Sequence, residues 1–408
     1  MSVTAAPAAS CALHDTGTCR SCPHLSLPMP DQLAAKQSRV ATLLAEHVPA
    51  ELWQAPAASA PTGFRNKAKM AVAGTAAHPT LGILDGAGCG VDLRTCPLHV
   101  PAIEAALPVL ADLVTELGLR PYDVPSRRGE LKYVLVTASP DDDLMVRFVL
   151  RSRRYLERLR AAVPDLRRRL PQLAVAAVNI QSVHQAVIEG PEEIVLTEED
   201  RLLMRLSLPS PDGGGQAGRR AGSVELPLYL PTRSFFQTNT AVAEALYATA
   251  RDWAEQAEPA RVWDLFCGVG GFALALAAPG RQVLGVEVSA SAIDGARAAA
   301  DLMGLDPALV RFEAGDARVL DPAAGERAGG VQRPDLLVVN PPRRGIGEQL
   351  ATRIEASGVE RVLYSSCNPR TLAADLAHLP SMRVVRSRLF DMFPHTEHAE
   401  VLVELVRD

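Results

Sequence analysis

From residue 240 onward, short apolar runs alternate with segments of helical period. Residues 261–267, 282–287, 310–313, 335–340 and 361–366 read as strands, and residues 271–278, 290–304, 348–357 and 371–379 as helices. Two late strands follow at 383–390 and 401–406. Strands that alternate with helices build a doubly wound, mostly parallel sheet, because each helix returns the chain to the end of the sheet where the last strand began.

The preceding stretch follows a different pattern. Residues 131–137 and 144–150 read as strands joined by Ser139-Pro-Asp-Asp-Asp143, and residues 173–179, 184–189 and 202–208 as further short strands. Residues 151–170 read as a basic helix. This is an α+β unit dominated by antiparallel sheet. Nearer the N-terminus a helix is expected at 31–46, before a Pro/Ala-rich stretch at 49–61. The Gly- and Pro-dense run from Pro209 to Gly218 marks a surface loop. The expected organisation is a cysteine-bearing segment over 1–100, an α+β unit over 101–230 and a Rossmann-like α/β catalytic unit over 231–408.

Composition narrows the class. A chain of 408 residues, 48% hydrophobic and 22% charged, is expected to be soluble, with two or three domains. Its longest apolar stretches, near residues 272–279, fall far short of the roughly 20 residues that a membrane helix needs. The first ten residues carry no Lys or Arg, so no secretory signal is expected and the cytoplasm is the expected compartment. The net charge of −5 does not by itself favour a nucleic-acid partner. Arg151, Arg153, Arg154, Arg158, Arg160 and the run 167–169 concentrate positive charge, and a solvated helix face is the simplest account of them.

Candidate chemistry begins with Asp264-Leu-Phe-Cys-Gly-Val-Gly-Gly-Phe272, at the end of the first strand of the alternating region. Gly268, Gly270 and Gly271 permit a tight turn and close approach of backbone to a ligand. Glu287 ends the next strand, where a carboxylate can accept from two ribose hydroxyls. Asp316 follows the third strand, placed to meet an adenine amine. The spacing is not that of a dinucleotide fold, and the acid Asp264 would repel a pyrophosphate. It suits a cationic ligand such as S-adenosylmethionine. Asn340-Pro-Pro ends the fourth strand, facing the substrate. Arg343 and Arg344 follow it where an aromatic would be expected for methylation of an amino group.

Ser365-Ser-Cys-Asn-Pro369 ends the fifth strand and places Cys367 at the mouth of the same site. C5 of uracil is too poor a nucleophile to attack a methyl donor. A thiolate adding to C6 makes C5 carbanion-like, and a base must then remove the C5 proton before the thiol leaves. Cys367 suits the first role. Glu400 is the candidate base, with Glu397 as a competitor three residues earlier. His395 and His398 lack the carboxylate–histidine array of a metal site.

Taken together, Phe235-Phe-Gln-Thr-Asn239, the segment from Asp264 to Phe272, Asn340-Pro-Pro-Arg-Arg-Gly345, Ser365-Ser-Cys-Asn368 and Phe390-Asp-Met-Phe-Pro-His-Thr396 resemble the RNA 5-methyluridine methyltransferase family, in order and over nearly the whole chain. The resemblance implies S-adenosylmethionine contacts from Gln237, Phe266, Glu287 and Asn340, with Cys367 as nucleophile and Glu400 as base. Some members carry Asp where Asn340 stands. It also implies a [4Fe–4S] cluster. Cys11, Cys19 and Cys22 are spaced C-x7-C-x2-C, and Cys96 in Cys96-Pro-Leu-His99 would be the fourth ligand, with Cys89 as competitor. Four thiolates suit such a cluster or zinc, but a zinc ribbon pairs two C-x2-C knuckles and this chain has one.

Within the family the chain is most similar to the group acting on a hairpin loop of 23S ribosomal RNA. Arg65-Asn-Lys-Ala-Lys69 and Arg127-Arg-Gly-Glu-Leu-Lys132 fit that group and are either phosphate contacts or strand edges. The alternatives are the same chemistry on transfer RNA or another ribosomal uridine, and a non-catalytic iron–sulfur RNA-binding protein.

Overall fold

A computed structural model describes residues 9–185, 187–209, 223–318 and 333–408. Beyond Pro209, the Gly/Pro-dense run lies outside the described residues.

The N-terminal half begins with a short helix α1 (Ala12–Asp15) and α2 (Met29–Leu43). It continues through β1 (Lys67–Gly74), β2 (Pro79–Leu84), β3 (Gly90–Asp92), α3 (Pro101–Glu116), β4 (Leu131–Ala138), β5 (Leu144–Leu150), α4 (Leu156–Arg169), β6 (Leu173–Ile180) and β7 (Glu192–Val195). These strands form a sheet of order β3-β2-β1-β4-β5-β6-β7. Every pairing is antiparallel except β5 with β6, which α4 connects. Helices α3 and α4 bury Leu107, Leu110, Leu159 and Leu166 against Val134, Val146 and Val178 of the sheet.

Among the described residues of 184–189, where a strand was expected, none is formed; the ladder resumes at β7. Gln181, just before this stretch, donates from its side chain to Val187 O and accepts from Val183 N. Such local side-chain bonds offer the backbone an alternative to the ladder. The basic helix starts later than expected, after a 3₁₀ turn at Arg153–Tyr155 capped by Ser152.

A hairpin of β8 (Arg201–Leu208) and β9 (Val224–Pro231) leads to α5 (Thr240–Ala257). The alternating region follows as β10 (Arg261–Leu265), α6 (Gly271–Ala275), β11 (Gln282–Glu287), α7 (Ala290–Leu302), β12 (Val310–Ala314), β13 (Leu336–Val339), α8 (Gly347–Ser357), β14 (Arg361–Ser366), α9 (Pro369–Leu376), β15 (Met382–Phe390) and β16 (Glu400–Arg407). The sheet order is β12-β11-β10-β13-β14-β16-β15, parallel from β12 to β14, with β16 antiparallel to both of its neighbours. The doubly wound α/β fold expected for residues 231–408 is therefore present.

Alternation along each strand assigns its side chains to two cores. Val262, Val283, Leu336 and Leu363 face α5, α7 and the β8–β9 hairpin. Trp263, Leu284, Leu337 and Val362 face the other side, with Leu350, Ile354 and Leu372 of α8 and α9. Val40, Leu44 and Val48 join this second core. Residues of the expected N-terminal segment thus pack on the C-terminal sheet, and so does the strand at 202–208 that was expected with the central unit, paired with β9.

The chain winds outward from β10 to β12, then crosses back to place β13 on β10's other side. Between β10 and β13 the winding reverses, and in such sheets ligands lie beyond the carboxyl ends of the strands at that point.

Candidate active site

A cavity of about 540 Å³ opens at this reversal. Phe266, Gly268, Glu287, Asp316, Asn340, Cys367, Glu400 and Gln237 all line it. Each comes from a strand end or the turn after it, except Gln237, which precedes α5.

The first wall is the turn after β10. Phe266 sits at φ 66°, a conformation uncommon outside glycine, with Gly268 at 54° and Gly270 at 87°. A Cβ on Gly268 would meet nothing within 4 Å, so its backbone borders open space. Glu287 is fixed by two backbone donors: Gly268 N reaches Oε2 at 3.4 Å and Ser289 N reaches Oε1 at 3.1 Å. Ser289 in turn caps α7.

Asp264 differs from its expected role. It is fully buried, does not line the cavity, and accepts from Ala273 N at 2.9 Å. Alternation along β10 turns it toward α5 and α6. Burial pushes its carboxyl up to about 8, so at neutral pH it is largely uncharged and braces the glycine turn rather than attracting a cation. Asp316 lines the cavity, but Arg318 engages both of its oxygens and holds its carboxyl low.

The opposite wall carries the reactive groups. Leu363, Ser365 and Cys367 alternate with Val362, Tyr364 and Ser366 along β14 and its end. Ser365 Oγ donates to Glu400 Oε1 at 2.5 Å. Asn368 caps α9 and donates to Arg343 O at 3.0 Å, with Thr371 Oγ1 on the same carbonyl. The turn bearing Cys367 is therefore tied to the turn bearing Arg343.

Electrostatics separate the two candidate bases. Glu400 is 2% exposed, and burial pushes its carboxyl up to about 7, against the Ser365 bond that favours its charged form. A carboxyl titrating there is suited to proton transfer near neutral pH. Glu397 is exposed and does not line the cavity. Burial and nearby Glu400 push the Cys367 thiol up, while the Arg343 guanidinium, which hydrogen bonds to it, pulls it down.

Sequence reasoning assigned no role to Ser365, Tyr247, Phe393 or His398. The last three also line the cavity. Tyr247 lies edge-on to Phe272. It belongs to α5, which was not expected as a helix. His395, by contrast, is buried and bonded to Gln32.

A second cavity, of about 320 Å³, is lined by Cys11, Cys19, Cys22 and Cys96, with Arg65 and His99. Burial, Cys96, Cys19 and Cys11 push the Cys22 thiol up to about 11. Cys89 is exposed and lies elsewhere. Among the described residues no group of three or more His, Cys, Asp or Glu side chains is set to hold a metal ion.

Several arginines of α4 and its approach form surface ion pairs. Arg153 pairs with Glu192, Arg160 with Glu157, Arg167 with Glu199, Arg168 with Asp165 and Arg169 with Glu116. Lys132 is buried, donating to Val183 O and lying 4.8 Å from the Tyr122 ring centre. Among the described residues no helix is long and apolar enough to cross a membrane.

Residues 227–408 match the family model of tRNA (uracil-5-)-methyltransferase. The 23S rRNA (uracil(747)-C(5))-methyltransferase of Halothiobacillus neapolitanus is 48% identical over 401 residues, covering 97% of this chain and 99% of the relative. The enzyme of the same name from Escherichia coli O139:H28 is 45% identical over 398 residues, covering 97% and 99%. The crystal structure of Pyrococcus abyssi tRNA (uracil-54, C5)-methyltransferase in complex with S-adenosyl-L-homocysteine superposes with a TM-score of 0.75 at 24% identity, over 95% of this chain and 85% of that one, and shares the fold. With near-full-length relatives at this identity, the chain belongs to the RNA 5-methyluridine methyltransferase family.

Proposed function

We propose that this protein methylates C5 of a uridine in 23S ribosomal RNA, at the position its relatives call uracil 747, using S-adenosylmethionine and a covalent Cys367 adduct. The observation that carries this reading is one cavity that joins a cysteine, a buried carboxyl titrating near 7, and a glycine turn backed by Glu287.

The cavity fits the methyl donor. Glu287 accepts from the ribose, Phe266 and Asp316 border the base, and Gly268, Gln237 and Asn340 enclose the remainder, with Asp264 bracing the turn from behind. S-adenosylmethionine, when bound, supplies the electrophilic methyl group that C5 takes. The chain's residues do the rest. Cys367 thiolate bonds to C6, which places an enolate on the ring and nucleophilic character on C5. Arg343 favours that thiolate. Glu400 removes the C5 proton after methylation, the C6–sulfur bond breaks, and Cys367 leaves as thiolate. The target base has to be unstacked to enter, which a loop makes inexpensive. An enzyme of ribosomal RNA is placed in the cytoplasm.

For the second cavity we favour a [4Fe–4S] cluster on Cys11, Cys19, Cys22 and Cys96. Four thiols line one cavity, and their neighbours add to the burial that pushes the Cys22 and Cys96 thiols up, which suits a polynuclear centre that takes thiolates from several segments. Methylation needs no electron transfer, so the cluster's part is structural or in RNA contact. The N-terminal sheet, which joins β1–β3 to β4–β7, then serves as the cluster-bearing and RNA-binding part, and the C-terminal α/β sheet as the catalytic part.

RNA carrying 5-fluorouridine cannot release its C5 substituent. Incubated with protein and S-adenosylmethionine, it should form a denaturation-resistant complex that Cys367→Ala does not form. A wild-type protein that traps nothing would refute the enzymatic reading. Mapping 5-methyluridine in a deletion strain tests the target: loss from 23S RNA supports it, and loss from transfer RNA alone refutes it.

A further inference from the structure

The fold leaves two polar atoms on the wall of the cysteine cavity without partners. Arg65 Nε and His99 Nδ1 are buried and make no hydrogen bond among the described residues. Both residues line the cavity, and His99 is only 5% exposed. Leaving a donor buried and unpaired costs about 1–3 kcal/mol. Arg65 Nε–H is a donor, and His99 Nδ1 is one in its Nδ1–H tautomer, so this wall suits an occupant that brings acceptors.

The backbone holds them there. Arg65 N donates to Leu98 O at 2.8 Å and Val100 N donates to Arg65 O at 3.1 Å, so the two segments run side by side. Charge agrees with the placement: Arg65 draws the Cys22 and Cys96 thiols toward their thiolates, against their burial. The neighbouring residue, Asn66, donates to Gln237 O at 3.0 Å, and Phe393 lines both cavities. Arg65 therefore lies one residue from a contact to the segment that walls the catalytic cavity.

We propose that Arg65 and His99 are positioning residues that donate hydrogen bonds to the sulfur atoms of the iron–sulfur group on Cys11, Cys19, Cys22 and Cys96, offsetting its negative charge and setting its reduction potential. This rests on the cluster reading above. Thiolate and sulfide sulfurs are acceptors only, which matches a wall that offers donors. Hydrogen bonds to cluster sulfurs withdraw charge and stabilise the reduced state, so each donor raises the potential.

The test uses full-length protein purified anaerobically, with iron and sulfide content, midpoint potential and resonance Raman Fe–S stretching frequencies as readouts. Arg65→Met and His99→Leu should keep their iron, lower the potential and shift the Fe–S stretches upward. His99→Asn, which restores a donor near Nδ1, should return both toward wild type. Full iron content with potential and stretches unmoved in both Arg65→Met and His99→Leu overturns the proposal and leaves the cluster standing. If His99→Leu loses iron, His99→Asn decides: retention at wild-type potential supports the proposal, and equal loss overturns it. A wild-type protein without iron and sulfide sinks the cluster reading itself.

Discussion

Ser365 Oγ donates to Glu400 Oε1 at 2.5 Å, and this bond joins the end of β14 to the first residue of β16 behind the cavity wall that Glu400 forms. It is the named influence that favours the charged form of a carboxyl which burial pushes up to about 7. Below that pH Glu400 is protonated and cannot take a proton, so the methylation rate should fall on the acid side with an apparent pKa near 7. Ser365→Ala removes a bond to the ionised form, which moves the pKa further up. Its acid limb should shift to higher pH while the alkaline plateau is largely kept. A pH–rate profile for both proteins checks this, and an unshifted limb would detach Ser365 from the base.

Glu400→Gln should separate bond making from bond breaking. The amide cannot remove the C5 proton, but Cys367 and its turn are untouched. Methylated RNA should remain bound through Cys367, visible as a slow band on a denaturing gel with ordinary uridine RNA. Turnover should fall by about 10²–10⁴, the range that a positioned base contributes. Normal turnover in Glu400→Gln would remove it from the mechanism.

How far the sequence carried depends on the element. The alternating half was legible because each strand is a short, fully buried run and each turn carries Gly or Pro; Ser365 to Pro369 reads as strand end, nucleophile and helix start in five residues. β9 was not legible. Pro227 and Pro231 argue against a strand, yet in a two-stranded ribbon both strands are edges, and Pro227 sits opposite Arg205 with no ladder beyond it. α5 was hidden by its uniformity: from Val242 to Ala254 its buried residues surround much of the helix, which erases the amphipathic stripe. That cost the cavity Tyr247. The packing of Val40 and Leu44 against a sheet more than two hundred residues away has no local signal at all.

Arg343 should control the reactivity of Cys367. The thiol is held up by burial and by Glu400, and the guanidinium is the named cation opposing them. Arg343→Gln keeps a donor but loses the charge, so the thiolate fraction at neutral pH should drop. The rate of alkylation by iodoacetamide, followed against pH at Cys367 by mass spectrometry, should shift to the alkaline side. An unchanged profile would show that the thiolate is set elsewhere.

Lys36 and Asp391 form a buried pair at 2.5 Å, with side chains 3% and 1% exposed. Lys36 Nζ also donates to Phe393 O at 2.8 Å, so one ammonium fixes the segment that carries the wall between the two cavities. Asp391 Oδ2 has no partner among the described residues, which leaves Lys36 as the cation that compensates its charge. Removing one member of a buried pair strands the other, and typically costs about 3–5 kcal/mol. Lys36→Met should lower stability by that order in chemical denaturation. Adding Asp391→Leu should recover part of it, since no unpaired charge is then buried. If stability alone were at stake, activity per folded molecule would be unchanged in the double variant. Because Phe393 borders the catalytic cavity, its KM for S-adenosylmethionine or RNA should instead remain raised. A double variant that regains stability and keeps a wild-type KM would show that the pair braces the fold without shaping the site.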